Sequence, residues 1–103
     1  MQEYELIFIM PPCDDEFAKN VVRYVQDGID HVKGKVIKTE RWGTRKLAYP
    51  IKDFKEGYYV LIDFEMDSWA LTKKQISEGI EELETAFKQF NDIIKFIIVR
   101  KEG

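Results

Sequence analysis

The order of apolar runs and amphipathic segments constrains the fold of this chain more than any other feature. Short runs rich in β-branched and aromatic residues predict strands, and the first of them stops at Pro11 and Pro12. Longer segments with apolar residues every three or four positions predict helices. Strands are expected at 3–10, 35–49, 58–66 and 91–101, with helices at 14–34 and from Asp67 or Ser68 onward.

Each predicted helix carries a single apolar stripe. Asp14 is a suitable N-cap for the first helix, and Gly34 is expected to end it. A stripe on one side of a helix must be buried against another element. The stripes consist of Phe17, Val21, Tyr24, Val25, Gly28, Ile29 and Val32 in the first helix, and of Ile76, Ile80, Leu83 and Phe87 in the second.

The β-α-β-β-α-β order predicts one α+β domain over residues 1–103 with a ferredoxin-like fold. Because such crossovers are right-handed, both helices should lie on one face of a four-stranded antiparallel sheet. The opposite face, called the open face below, then has no helix to cover it.

The open face is expected to expose an apolar patch. An antiparallel sheet with one solvated face alternates apolar and polar residues, but the runs LIFIM, YYVLI and FIIV are apolar at consecutive positions. Apolar side chains must therefore point to both faces. We interpret the resulting patch as a surface for a protein partner, formed by Ile7, Ile9, Leu61 and Ile97.

Positive charge is concentrated in one part of an acidic chain. Residues 33–55 hold eight Lys or Arg and two acidic residues, a net of +6, whereas the whole chain carries −3 and the remainder therefore −9. Aromatic residues among these cations favour contact with a nucleic acid, because rings stack on bases while cations meet phosphates. A solvated hairpin is the alternative explanation.

Neither a secretion signal nor a catalytic constellation is evident. The N-terminus lacks a basic region and no apolar run reaches membrane-spanning length, so a cytoplasmic protein is expected. Cys13 is the only cysteine, near a helix start that could lower its pKa, and we interpret it as an incidental thiol. His31, the only histidine, has no evident partners for a triad. We therefore expect no enzyme activity, no cofactor and no metal site.

The segment RWGTRKLAYPI, residues 41–51, contains both a kink and a cationic cluster. Val36 and Leu47 are expected core residues, but their odd separation would put them on opposite faces of a regular strand. Gly43 is a candidate β-bulge that resets this register. Pro50 cannot donate a ladder hydrogen bond, which predicts that the strand lies at a sheet edge.

This segment resembles the signature of the bacterial small-subunit ribosomal protein six family. The similarity extends through YELIFIM, GYYVLIDFE and ELETAFKQFNDIIKFIIVR, and so covers nearly the whole chain. The resemblance implies a structural protein of the small ribosomal subunit that binds the central domain of its ribosomal RNA. It also implies a heterodimer with a basic partner, ribosomal protein eighteen. One departure is that segment 67–80 is about two helical turns longer than the family pattern, and Trp69 within it is expected to pack.

The resemblance also suggests which residues bind RNA. Arg45 and Lys46 fall at the family's basic positions after Trp-Gly, and Lys95 falls at its basic residue entering the last strand. Trp42, together with Tyr49 and Pro50, is interpreted as structural rather than as a base-stacking residue. The further candidates for RNA contact are Arg41, Arg100 and Lys101.

Three other classes share this topology. An RRM stacks bases on spaced sheet aromatics, a spacing that EGYYVLIDF does not reproduce. A ferredoxin-like enzyme would need a phosphate-binding loop or an acid–base pair. A homodimeric regulator would instead cover the open face with a second copy of itself.

Overall fold

A computed structural model describes residues 2–101 of the chain. The predicted β-α-β-β-α-β order and ferredoxin-like fold are confirmed. The elements are β1 (Gln2–Met10), α1 (Asp15–His31), β2 (Gly34–Ile51), β3 (Phe54–Met66), α2 (Lys73–Gln89) and β4 (Lys95–Lys101).

The four strands form one antiparallel sheet in the order β2-β3-β1-β4. In the centre of this sheet, Leu6 and Phe8 of β1 are fully buried beneath the two helices. Because successive side chains alternate between faces, Ile7 and Ile9 point to the open face. The edges of the sheet are β2 and β4, so the prediction that the Pro50 strand lies at an edge is confirmed.

Both helices bury the stripes that their sequences predict, with two exceptions at the margin. Val21, Val25 and Ile29 of α1 and Ile76, Leu83 and Phe87 of α2 belong to the main core. Phe17 and Tyr24 are 41% and 46% exposed, and the Tyr24 ring stacks on Phe90 with centroids 4.4 Å apart.

The residue predicted to end α1, Gly34, is one position too late. Asp14 caps the start as expected, accepting a 2.8 Å hydrogen bond from the Phe17 amide. At the other end the left-handed residue is Lys33, with φ of 67°, and Gly34 is already part of β2. A Cβ on Gly34 would lie 2.7 Å from Cγ2 of Ile29. Glycine is therefore needed there for close packing rather than for a turn.

The predicted start of α2 at Asp67 or Ser68 is also wrong. Thr72 is the N-cap and forms a capping box with Gln75. The backbone N–H of Gln75 donates to Oγ1 of Thr72, and the backbone N–H of Thr72 donates to Oε1 of the Gln75 side chain. Asp67 instead accepts the amides of Trp69 and Ala70, at 2.9 and 3.3 Å, and so caps only a turn.

The last strand begins later than predicted, at Lys95 rather than at residue 91. Residues 91–94 form a turn that descends from α2 to the sheet. Ile93 enters the main core, and the amide of Ile94 donates a 2.8 Å hydrogen bond to the carbonyl of Ile9. This apolar segment therefore connects the two layers instead of extending β4.

The register between the edge strand β2 and β3 shifts at three places where one bulge was predicted, and the last shift lies between Lys46 and Ile51. The register shifts between Arg41 and Gly43, where Gly43 has φ of 83°, and also between Val36 and Lys38. One extra residue between Val36 and Leu47 would have put both side chains on the same face. The two extra residues before Lys46 cancel, so Val36 and Leu47 point to opposite faces. Val36 therefore packs on the main core and Leu47 on the open face, so the prediction that both face one core is wrong.

Candidate functional site

The open face changes in character from one end to the other. Pairing registers place its side chains in rows that run from β2 across β3 and β1 to β4. One end is acidic, the middle is apolar, and the end nearest the β2–β3 hairpin is cationic and aromatic. The acidic end contains Glu3, Glu5, Asp63 and Glu65 interspersed with Lys35, Lys38 and Lys101, the middle contains Ile7, Leu61 and Ile97, and the hairpin end contains Trp42, Tyr59, Arg45 and Lys95.

The apolar middle is a continuous row across three strands. Ile7 lies opposite Leu61 of β3 and opposite Ile97 of β4. Leu61 is only 8% exposed, whereas Ile97 is 49% exposed and Val99 beside it is 50% exposed. The surface available to another molecule is therefore concentrated toward the β4 edge.

Ile9, the fourth residue of the predicted patch, is covered by the chain itself. It forms a second small core with Leu47 and Ile94 on the open face, and Tyr59 packs against that cluster. Gly57 permits this packing, because a Cβ there would lie 2.4 Å from Cγ2 of Ile9. Through its contact with Tyr59, this cluster supports the part of the open face nearest the hairpin.

The Lys101 ammonium lies between two carboxylates at the acidic end. Glu5 and Asp63 are cross-strand neighbours, and the ammonium of Lys101 lies 3.8 Å from Oε2 of Glu5 and 3.1 Å from Oδ2 of Asp63. The other carboxylate oxygen of Asp63, Oδ1, has no hydrogen-bond partner within residues 2–101. Oδ1 is buried, and Lys38 lies opposite Asp63 on β2 as a second nearby cation, so the negative charge that remains accessible lies mainly on Glu5.

An aromatic pair and two cations occupy the hairpin end. The rings of Trp42 and Tyr59 stack with centroids 6.3 Å apart and planes 19° apart. A shallow recess of about 450 Å³ is lined by these two rings together with Arg45 and Lys46. Within the described chain, neither cation has an acidic side chain within salt-bridge distance of its charged group.

The Trp42 indole is fixed by its neighbour on the same strand. Its Nε1–H donates a 3.2 Å hydrogen bond to Oε2 of Glu40, while the Lys38 ammonium lies 2.9 Å from Oε1. The hydrogen bonds from Lys38 and from Trp42 lower the pKa of Glu40, so the carboxylate stays ionised as an acceptor. Lys38 also offsets the negative charge that Glu40 would otherwise present beside the indole.

The six cations predicted to bind RNA do not lie on one surface. Arg45 and Lys46 share the recess, and Lys95 lies in the same cross-sheet row as Tyr59, at the opposite edge. Lys101 is engaged by carboxylates at the acidic end. On the helical face, Arg41 lies opposite Val60, and Arg100 lies opposite Tyr4.

The structure agrees with the interpretation of Cys13 as an incidental thiol, whereas the prediction that Trp69 packs is wrong. Burial raises the pKa of the Cys13 thiol, and the nearby charges of Asp14, Asp15 and Asp92 raise it further. The helix start therefore does not activate the thiol. Trp69 is 91% exposed in the turn before α2, so it does not pack within the described chain.

Sequence reasoning missed the two side-chain pairs that shape the open face, Trp42–Tyr59 and Glu5–Asp63. The alternation of side chains in β1 and β3 is enough to put Glu5 and Asp63 on one face, so the sequence did contain a signal for this pair. The aromatic pair depends on the bulge at Gly43, which brings Trp42 toward Tyr59.

Within residues 2–101, no helix is long and apolar enough to cross a membrane, and no group of three metal-binding side chains is assembled. What the open face offers is contact surface of three kinds, acidic, apolar and cationic. The fold and this face together define a ferredoxin-like binding domain.

Comparison with known proteins identifies the family. The model of the ribosomal protein S6 family matches residues 3–100. Small ribosomal subunit protein bS6 of Clostridium novyi is 35% identical over 99% of both chains, and that of Heliobacterium modesticaldum is 32% identical over 99% of this chain and 98% of its own. The crystal structure of 30S ribosomal protein S6 from Thermotoga maritima superposes with a TM-score of 0.82 at 36% identity, covering 97% of this chain and 87% of the other.

The chain belongs to the ribosomal protein S6 family. It is a structural, non-enzymatic constituent of the small ribosomal subunit, located on the ribosome in the bacterial cytoplasm and associated with small-subunit ribosomal RNA. The predictions of family, fold and non-enzymatic class are confirmed. The predicted RNA-binding and partner-binding residues stay predictions.

Proposed function

We propose that this protein binds the central domain of small-subunit ribosomal RNA as one half of a pair with ribosomal protein eighteen. The observation that carries the proposal is the change of character along the open face, from an acidic and apolar surface to a cationic and aromatic one. The resemblance of the RWGTRKLAYPI segment to the family signature supports the choice of RNA and of partner.

The hairpin end suits an RNA backbone. Arg45 and Lys46 are exposed, and no carboxylate lies within salt-bridge distance of their charged groups in residues 2–101. Their interaction with phosphate would therefore not first require an ion pair to break. Neutralising phosphates releases condensed counterions, which is the main source of affinity for a nucleic-acid backbone.

The acidic and apolar parts suit a basic protein. Glu5 and Asp63 hold one Lys101 between two carboxylates, and Glu5 is partly exposed, so a cation of the partner would find residual negative charge there. Ile97, beside this pair, would supply an apolar contact at the β4 edge. Apolar contact with a charged rim is the usual composition of a protein interface.

Neither surface is expected to give tight binding by itself. The chain carries −9 outside residues 33–55, which repels a phosphate backbone, and the hairpin end reaches only a few phosphates. A basic partner would reduce this repulsion and add its own phosphate contacts. Two proteins held together on one RNA also raise each other's effective concentration.

The test is a titration of a central-domain RNA fragment with this protein alone, with ribosomal protein eighteen alone and with an equimolar mixture, at fixed salt. We expect weak, salt-sensitive binding by each protein and an apparent affinity for the mixture that is roughly 100-fold higher. Equal binding by the single chain and by the mixture would contradict the paired mode. An RNA fragment from another domain of the same ribosomal RNA is the control for specificity.

Light scattering of the isolated protein completes the test. A monomer that forms a 1:1 complex on addition of the partner is the expected result. A stable homodimer that excludes the partner would instead favour the homodimeric alternative, because the open face would then be occupied by a second copy.

A further inference from the structure

We infer that Trp42 and Tyr59 form a stacking platform for an unpaired RNA base, with Arg45 and Lys46 meeting the phosphates that flank it. The inference rests on the proposed function and specifies the RNA feature that the hairpin end would contact. The sequence alone led us to interpret Trp42 as structural, and its placement in the fold gives the reason to assign it this role.

The platform has a supported side and an accessible side. Tyr59 is half-buried and packs against the small core of Ile9, Leu47 and Ile94. Trp42 stacks on Tyr59, belongs to neither core cluster and is 39% exposed. The contacts therefore run from the apolar cluster to Tyr59 and from Tyr59 to the partly exposed Trp42. A base placed on the indole would extend an existing stack by one ring.

The indole is already oriented before any base arrives. Its hydrogen bond to Glu40 and its contact with Tyr59 restrict both rotation and tilt. A pre-oriented ring loses less conformational entropy on binding than a mobile one.

The neighbouring charges select a nucleotide over another flat ligand. Arg45 and Lys46 line the same recess as the two rings, so a ligand on the platform would meet positive charge at its edge. Lys38 is 2.9 Å from Glu40 and compensates the one carboxylate beside the indole. A ring bearing flanking phosphates matches this arrangement.

The base must be unpaired. In an RNA duplex the faces of the bases are covered by their stacked neighbours, whereas bases in loops, bulges and ends can turn out and stack on aromatic side chains. The platform therefore predicts a single-stranded nucleotide at the hairpin end of the open face.

Tryptophan fluorescence tests the platform directly, because the chain has two tryptophans in different environments. Trp69 is 91% exposed and lies in the turn before α2, outside the open face. The Trp69→Phe variant reports Trp42 alone, and the Trp42→Phe variant reports Trp69 alone. The probes are a single-stranded adenosine hexamer and an abasic ribose-phosphate hexamer of the same charge.

We expect the adenosine hexamer to quench Trp42 emission saturably and to leave Trp69 emission nearly unchanged. The abasic hexamer should bind weakly and quench neither residue. Equal quenching of Trp69 would mean collisional contact, and equal affinity for the abasic hexamer would mean phosphate binding without stacking. Either result would overturn the platform.

Affinity for the central-domain fragment, measured with the partner present, separates this inference from the proposed function. Trp42→Leu should weaken binding roughly 5- to 150-fold with an unchanged salt slope, and Trp42→Phe should restore part of the loss. If the native pair binds tightly and Trp42→Leu binds equally well, the platform is wrong and the proposed function stands. If the native pair does not bind the fragment, the proposed function fails even if the adenosine hexamer quenches Trp42. Circular dichroism of both variants checks that they fold.

Discussion

The Tyr58 hydroxyl donates a 2.7 Å hydrogen bond to Oδ1 of Asp15, across 43 positions of sequence. Tyr58 lies in β3 and Asp15 is the first residue of α1, so the bond connects the start of the helix to the sheet. The Tyr58 side chain is otherwise part of the main core. The ring of Tyr58 is thus buried in the core, while its hydroxyl forms a hydrogen bond at the edge of that core.

Replacing Tyr58 with Phe should lower the free energy of unfolding by roughly 1 kcal/mol. The ring remains in the core, so the loss reports the hydrogen bond and not a cavity. Urea unfolding of both proteins measures the difference. Tyr24→Phe is the matched control, since Tyr24 is 46% exposed and its hydroxyl makes no hydrogen bond within residues 2–101. Equal effects of the two changes would argue against a stabilising role for the Asp15 contact.

The same pair predicts a loss of stability at high pH. Burial raises the pKa of Tyr58 above its ordinary value of 10.0, and the hydrogen bond to Asp15 and the negative charge of Asp15 act in the same direction. The folded state therefore holds this proton more tightly than the unfolded state does. The contribution is complete below about pH 10 and disappears as the pH rises through the folded-state pKa.

Unfolding free energies measured from pH 8 to pH 11 should fall less steeply for Tyr58→Phe than for the native protein. Other tyrosines and the lysines titrate in this range in both proteins, so the difference between the two curves isolates Tyr58. Parallel curves would show that the environment of Tyr58 does not distinguish its protonation states.

Much of the fold could be predicted because its signals are local. Helix stripes and strand runs arise from periodicities of 3.6 and 2 residues, and the order of the elements then restricts the topology to a few choices. The start of α2 was placed wrongly because Asp67 and Thr72 are both good caps. Only the structure shows that Asp67 caps a turn and Thr72 caps the helix.

The candidate site was harder to predict because it depends on pairing across strands. The sequence shows that Trp42 lies among cations, but not that it stacks on Tyr59, which is 17 positions later. That contact requires the bulge at Gly43, and the position of Leu47 requires the second bulge near Ile37. One extra residue reverses every later side chain, so register cannot be read from composition.

The hairpin between β2 and β3 offers a prediction on stability. Lys52 and Asp53 form its two-residue turn with φ of 49° and 71°, the left-handed conformation that a type I′ turn requires. Asp53→Gly should stabilise the protein by roughly 0.5 kcal/mol, whereas Asp53→Ala should destabilise it, because alanine in this conformation costs about 1–2 kcal/mol. Both variants lose the same carboxylate. Thermal unfolding midpoints that do not separate them would contradict the turn conformation.

The cationic recess predicts a change in the salt dependence of RNA binding. Changing Arg45 and Lys46 to Ala should weaken binding to the central-domain fragment and reduce the slope of log affinity against log salt by roughly 0.7–0.9 per lost phosphate contact. The measurement is a titration at several salt concentrations with the partner present. The double variant Lys19→Ala, Lys74→Ala is the control. Both lysines are exposed on the helices, so these substitutions remove the same amount of charge from the other side of the molecule. A slope that changes equally in both double variants would indicate a general charge effect.

The β4 edge of the open face predicts the contribution of an apolar contact to partner binding. Ile97 is 49% exposed, so Ile97→Ser should fold normally, whereas a polar residue at Leu61, which is 8% exposed, would disturb the sheet. Serine removes apolar area without adding charge. If the partner buries the exposed half of this side chain, the loss is roughly 1 kcal/mol, or about fivefold in affinity.

Calorimetric titration with ribosomal protein eighteen measures that loss. Trp69→Ser serves as the control, since it removes a larger exposed side chain from the turn before α2 and should leave affinity unchanged. Glu5→Gln acts on the adjacent charge and should slow association most at low salt, because complementary charges steer the encounter of two proteins. Native affinity in Ile97→Ser together with a loss of affinity in Trp69→Ser would show that the partner binds another side of the molecule. The surface to test next would then be the recess between α2 and the Tyr4 end of β1.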